Sequence, residues 1–296
     1  MITRDLIVKS AIAALLTAAA VGFAAGPALA HTPYIVPVTF APDRDWVGVQ
    51  GGMSEEAAFV PDFAIRGAGD WVVTGPDGVQ TRAAPTTLKS ANMLDAALPT
   101  EGTYRISTGE RPGRAGKAAK VGGVWRAVRP APAAGAPAGP ARPMEDDAGG
   151  GAGPINAVDV PAGAEIMDTQ SYLIAETYVS RGAPTPGALK PVGRGLELEP
   201  ITHPNEIYLD DGFTFRVTVD GKPASGLRVT AYRGGETYDG ERTAIEATTD
   251  ADGKASLGFA KAGAYLLETH YPDAPPASAA PASKTWVYTL SFEVTP

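Results

Sequence analysis

Phe213-Thr214-Phe215-Arg216-Val217-Thr218-Val219 alternates apolar and polar side chains without a break. Successive side chains of an extended strand point to opposite faces. The run therefore presents Phe213, Phe215, Val217 and Val219 to a core and leaves Thr214, Arg216 and Thr218 outside. It stops at Asp220-Gly221, a turn pair, and Leu227 to Tyr232 resumes the pattern. Half-buried strands joined by short turns belong to antiparallel sheets with one face on a core.

The reading extends outward from there. Trp71-Val72-Val73-Thr74, the turn Gly75-Pro76-Asp77-Gly78 and Val79 to Arg82 make a hairpin with its turn chemistry written out. Thr285 to Val294 reads as a closing strand, and Tyr172 to Val179, rich in Tyr, Ile, Thr and Val, reads as strand rather than helix. No long stretch beyond the N-terminus has a 3.6-residue period. Asp77-Gly78 is followed by Gly102-Thr103-Tyr104, and Asp252-Gly253 by Gly263-Ala264-Tyr265, an echo that two similar modules would explain. The expected fold is all-β, two β-sandwich domains, the C-terminal one Ig-like.

Residues 127–163 break the pattern. They are nearly all Ala, Pro and Gly around one acidic cluster, Glu145-Asp146-Asp147, and lack the apolar side chains that would offset ordering entropy. A disordered insertion is expected there, and a long loop between strands at 274–283. The expected units are residues 1–30, an N-terminal β domain over 31–194 and a C-terminal domain over 195–296.

Arg4 and Lys9, then an Ala- and Leu-rich run from Ala11 to Gly26, then Ala28-Leu29-Ala30 have the order of a cleaved export signal. The run is shorter than the roughly 20 residues of a membrane span, so no integral membrane segment is expected after cleavage and the protein is expected in the periplasm. There is no cysteine, which removes both disulfides and thiolate ligands. Removing a segment that carries Arg4, Lys9 and Asp5 takes the net charge from -8 to -9, which disfavours nucleic acid as a partner.

Cleavage after Ala30 would leave His31 as the first residue. The chain has only three histidines in 296 residues, so one at this position is notable. A free α-amine and the imidazole can close a six-membered chelate ring on one ion, and both can lose their protons near neutral pH. Pro33, having no amide proton, rules out the self-contained square-planar N-terminal motif, so His31 needs ligands from elsewhere. In Leu266-Leu267-Glu268-Thr269-His270, strand alternation puts Glu268 and His270 on one face, where both can reach an ion or Glu268 can orient the ring. His203, in Thr202-His203-Pro204-Asn205, is the third candidate. An amine and two imidazoles suit Cu(II), Ni(II) or Zn(II). The same residues also have plain readings, with His31 a frayed terminus, His270 a surface partner of Glu268, and His203 a turn residue.

Gly195-Leu196-Glu197-Leu198-Glu199-Pro200, the Asp220-Gly221-Lys222-Pro223 turn, Thr249-Asp250-Ala251-Asp252-Gly253 and Gly263-Ala264-Tyr265 resemble the C-terminal part of the exported DUF4198 family. Relatives of that family are periplasmic accessory components of nickel and cobalt uptake systems. The resemblance implies an Ig-like C-terminal domain and a preference for nickel or cobalt.

Motifs for hydrolase, phosphate-binding or metalloprotease chemistry are missing, and a non-enzyme is expected. A copper-dependent oxidative enzyme built on His31 and one further histidine is the least supported reading. The favoured expectation is a metal-binding accessory protein, with metal ligands His31, His270, His203 and Glu268 and a membrane transporter as partner. The alternative is a non-catalytic envelope module that meets an outer-membrane receptor or a polysaccharide and binds no metal.

Overall fold

A computed structural model describes residues 31–55, 58–67, 69–130, 153–235, 244–273 and 279–296. The expected export segment lies outside them. In chain order the strands are β1 (Thr32–Pro37), β2 (Trp46–Ser54), β3 (Trp71–Thr74), β4 (Gln80–Ala83), β5 (Thr86–Thr87), β6 (Asn92–Ala97) and β7 (Gly102–Ser107). There follow β8 (Arg111–Val121), β9 (Val124–Arg129), β10 (Ile155–Asn156), β11 (Ile166–Arg181), β12 (Leu196–Pro200), β13 (Ile207–Tyr208) and β14 (Phe213–Val219). The last are β15 (Lys222–Pro223), β16 (Arg228–Arg233), β17 (Ala244–Thr248), β18 (Lys254–Leu257), β19 (Gly263–Tyr271) and β20 (Lys284–Thr295). The described residues otherwise hold two 3-10 turns, and no helix among them is long and apolar enough to cross a membrane.

The chain is all-β and forms sandwiches. In the first, the sheet β1-β2-β6-β5 faces β3, β7 and β11. Ile35, Val49, Leu94, Trp71, Ile106 and Val179 fill the space between. In the second, β12-β14-β15 with β18 faces β20-β19-β16-β17. There Phe213, Phe215, Phe259, Tyr265 and Phe292 form a continuous aromatic packing, with Phe213 and Phe292 centred 5.0 Å apart. Each such buried side chain contributes about 1.5–3 kcal/mol of transfer free energy.

β11 belongs to both. It pairs antiparallel with β7 and parallel with β20, so one sheet runs unbroken across residue 195. Its Ile174 and Tyr178 enter the second core, while Ala175 and Val179 enter the first. A strand buried on both faces reads as a nearly continuous apolar run, which explains its unalternating sequence.

The turn echo has a structural counterpart. Gly102 and Gly263 open β7 and β19 with φ of 128° and 141°, values open to glycine. Two residues on, the Tyr104 hydroxyl donates to the Thr100 carbonyl at 2.8 Å and that of Tyr265 to Lys261 at 2.7 Å. Each sandwich thus carries its own tyrosine corner, a hallmark of Ig-like sandwiches.

The expected disordered insertion is corrected at its ends. Ala127 continues β9 against β8, and Val128–Arg129 extend it in parallel pairing with Ile155–Asn156. Residues 131–152 lie outside the described residues. A strand at a sheet margin is held by ladder hydrogen bonds, so an Ala- and Pro-rich composition does not exclude it.

Candidate metal centre

The site begins with a hairpin. β1 and β2 pair antiparallel from Pro37↔Val49 to Thr32↔Ser54, and one step further outward brings His31 opposite Glu55. Beyond Glu55 the chain folds back on β2. The Met53 amide donates to the Phe63 carbonyl at 2.8 Å and the Asp62 amide to the Met53 carbonyl at 2.9 Å. This return needs a flat strand beneath it. A Cβ on Gly52 would stand 2.7 Å from the Pro61 Cβ, and one on Gly51 would stand 2.8 Å from the Trp71 ring.

The fold-back is pinned at its tip. The Tyr34 hydroxyl donates to the Phe59 carbonyl at 3.2 Å and accepts from Gln50. Burial, and then the charge of Asp62, hold the Tyr34 phenol well above its ordinary pKa, so it remains a donor. Phe59 has a φ of 67°, a left-handed conformation rare outside glycine, and its ring packs edge-on to Tyr34. Strain of this kind persists only where the surroundings hold it.

These elements bring three side chains together. His31 Nε2 lies 3.4 Å from Glu55 Oε2 and 3.8 Å from Asp62 Oδ2. Ligand atoms of His31, Glu55 and Asp62 all fall within 4.8 Å of one another, which no other group of such side chains among the described residues does. Bonds of about 2.1 Å around one ion separate neighbouring ligand atoms by about 3.0–3.4 Å, so the two distances from Nε2 need only small adjustment. The His31 ring rests on Phe63, centroids 4.7 Å apart, which limits its rotation. Asp62 Oδ2 also accepts the Glu55 amide at 3.0 Å, tying one carboxylate to the other's backbone. All three remain partly open to solvent.

The nitrogen facing the carboxylates is Nε2. A chelate with the α-amine closes through Nδ1, so the amine would join the same ion only with the ring turned about its Cβ–Cγ bond.

The other expected ligands sit elsewhere. Glu268 and His270 do share one face of β19, and His270 Nε2 is hydrogen-bonded to Glu268 Oε1. The same carboxylate accepts the Thr32 hydroxyl at 3.0 Å. Alternation along the chain turns Thr32 toward Glu268 and its neighbour His31 the opposite way, so Glu268 and His270 do not join the His31 cluster.

His203 is occupied at both nitrogens. The Asn205 amide donates to Nδ1 at 3.1 Å, which leaves the proton on Nε2. Nε2 meets Thr103 Oγ1 at 3.0 Å and the Thr185 carbonyl at 3.3 Å. Thr103 continues to Ser180 and Ser180 to Asn205, closing a polar ring between β7, β11 and the entry to the second sandwich. Desolvation lowers the His203 pKa from its ordinary 6.5, partly offset by the Thr185 carbonyl and Glu206. The ring is a structural clamp rather than an open ligand.

Asp250-Ala251-Asp252-Gly253 is a tight turn in which Asp250 Oδ1 accepts the amides of Asp252 and Lys254.

Glu55 and Asp62 had one usable sequence signal between them. His31 and Glu55 are each twelve residues from Asp43, so a hairpin centred on Pro42-Asp43-Arg44 sets them opposite each other. Nothing comparable marks Asp62.

Among known proteins, no curated protein matches the chain. A solved structure of the D0-D1 domain of Intimin aligns at 10% identity, covering 87% of this chain and 96% of that one with a TM-score of 0.20, too low to bear on the fold. The family described as Domain of unknown function (DUF4198) matches residues 28–273. With most of its length inside that match, the chain belongs to the DUF4198 family.

Proposed function

We propose that this is an exported periplasmic protein that binds one divalent transition-metal ion through His31, Glu55 and Asp62 and serves as an accessory in its uptake or handling. The observation that carries the reading is the convergence of an imidazole nitrogen and two carboxylates at the first residue after the expected cleavage site. One neutral nitrogen and two anionic oxygens balance a doubly charged cation. They suit Ni(II), Co(II), Cu(II) or Zn(II) and disfavour Cu(I), which prefers sulfur. Partial exposure leaves positions for water or for a receiving protein's ligand, as transfer requires. The resemblance of the C-terminal part, from Gly195 onward, to relatives of nickel and cobalt uptake components favours those two ions.

Calorimetric titration of the protein beginning at His31 with Ni(II), Co(II), Cu(II) and Zn(II) tests this. One ion per chain is expected, with the Glu55→Gln, Asp62→Asn double variant weaker by about tenfold or more. Absence of uptake by the unaltered protein would sink the reading and favour an envelope interaction module.

A further inference from the structure

The Glu268 carboxylate is placed behind the site rather than in it. It sits on β19 of the second sandwich, accepts the Thr32 hydroxyl at 3.0 Å through Oε2, and is hydrogen-bonded to His270 through Oε1. Its side chain is 19% exposed and that of Thr32 is buried, so water competes little for the bond. β1 is seated against the same face of β19 further along. Tyr34 packs on Leu266, and Thr289 Oγ1 of β20 donates to the Pro33 carbonyl at 2.7 Å.

Thr32 is the last residue paired in β1 before His31. A strand end frays unless something holds it. The bond to Glu268 holds this one from the side opposite His31, and alternation then directs the imidazole at Glu55 and Asp62. We infer that Thr32 and Glu268, with His270 orienting the carboxylate, are positioning residues that fix the His31 ring for ion binding from the neighbouring sandwich. This rests on the ion site proposed above. It differs from direct ligation by Glu268 or His270, because neither shares the His31 cluster.

The experiment compares Thr32→Val, which keeps the shape and loses the hydroxyl, with Thr32→Ser, which keeps the hydroxyl. Thr269→Val serves as the control. Thr269 lies on β19 between Glu268 and His270 but faces the other side of the strand, and the change removes its hydroxyl bond to the Arg228 carbonyl of β16. Two measurements are made on each protein, the Kd for Ni(II) by calorimetry and the ring signals of His31 by imidazole 1H–15N correlation without metal. Loss of an outer partner of a metal ligand typically costs about 10–100-fold in affinity, so Thr32→Val is expected to bind about tenfold more weakly. Its His31 signals are expected to broaden or shift. Thr32→Ser is expected to behave as the parent, and Thr269→Val to melt lower with an unchanged Kd.

A Thr32→Val protein with the parent's Kd and the parent's His31 signals overturns the inference while leaving the ion site intact. If the parent binds no ion, the functional reading fails, and the metal-free ring signals still decide whether Thr32 positions His31.

Discussion

His31 and Glu55 face each other across the open end of the β1–β2 hairpin, Nε2 to Oε2 at 3.4 Å. Antiparallel pairing alone brings them opposite, since the two arms run outward from the same turn. Asp62 arrives by a different route, a fold-back over Gly52. The candidate site is therefore built by one short segment of chain, residues 31–63, which leans on the second sandwich through Thr32, the Pro33 carbonyl and Tyr34.

The two carboxylates are not equivalent. Asp62 faces the ring and also accepts the Glu55 amide, so Asp62→Asn weakens both a ligand and the backbone that carries the other. Asp62→Asn is expected to reduce Ni(II) affinity more than Glu55→Gln, with Glu55→Gln at about tenfold, or about 1.4 kcal/mol. His31→Ala is expected to remove binding. Calorimetry on the three variants checks the order, and equal affinity in Asp62→Asn and the parent would exclude Asp62 as a ligand.

The contribution of the α-amine follows from which ring nitrogen faces the cluster. With Nε2 toward the carboxylates, one extra residue before His31 should change the Kd by less than about threefold, well under the 1.4 kcal/mol of a tenfold step. A loss of tenfold or more would mean that the ring turns to offer Nδ1 with the amine. Titration of the two N-terminal forms side by side gives the answer.

His203 supplies a pH dependence with a defined sign. Its folded pKa lies below 6.5, chiefly through desolvation. Above about pH 6.5 the ring is neutral in both states and its clamp is fully effective. As the pH falls below that value the unfolded chain takes the proton first, and stability is lost down through the lower folded pKa. Protonating Nδ1 would also set a donor against the Asn205 amide. His203→Gln is expected to lose about 1–2 kcal/mol at neutral pH and to show a shallower fall in Tm between pH 7 and 5 than the parent. Parallel Tm–pH curves would refute the assignment.

Most of the fold was legible because alternation and turn chemistry are local. The Phe213–Val219 run, the hairpin about Gly75-Pro76-Asp77-Gly78 and the strand character of Tyr172–Val179 all follow from neighbouring residues. The shared face of Glu268 and His270 was legible for the same reason. What covers that face was not, because it depends on β1 crossing from the far end of the chain. Turning Thr32 rather than His31 toward Glu268 is a matter of one residue of register. Asp62 was hidden for a related reason, since its place depends on how a non-repetitive segment folds back. The strand at Ala127–Arg129 was hidden by composition, because its support comes from β8 and β10 and not from its own side chains.

The double role of β11 predicts how the molecule unfolds. Ile174 lies in the second core and Ile106, on the strand next to β11, lies in the first. Ile→Ala at either is expected to cost about 2–5 kcal/mol. Because one sheet passes through both sandwiches, each variant should lower a single shared transition, followed identically by near-ultraviolet circular dichroism and tryptophan fluorescence. Two separated transitions in either variant would mean that the sandwiches unfold independently.

Gly52 offers the sharpest link between backbone and site. A methyl group there would stand 2.7 Å from the Pro61 Cβ and 3.2 Å from the Tyr34 ring. Neither neighbour can retreat easily, since the ring of Pro61 is tied to its backbone and Tyr34 is fully buried. The fold-back must then lift away from β2, at a cost of about 1–3 kcal/mol for overpacking. Asp62, the next residue, lifts with it and leaves the reach of His31. Gly48, on the same strand, is the matched control, because a methyl there would meet Val38 at an ordinary 3.6 Å. Gly52→Ala is therefore expected to lower both Tm and Ni(II) affinity, while Gly48→Ala leaves both near the parent values. A Gly52→Ala protein that binds as tightly as Gly48→Ala would show that Asp62 does not need the fold-back to reach the ion, and the three-residue site would have to be redrawn without it.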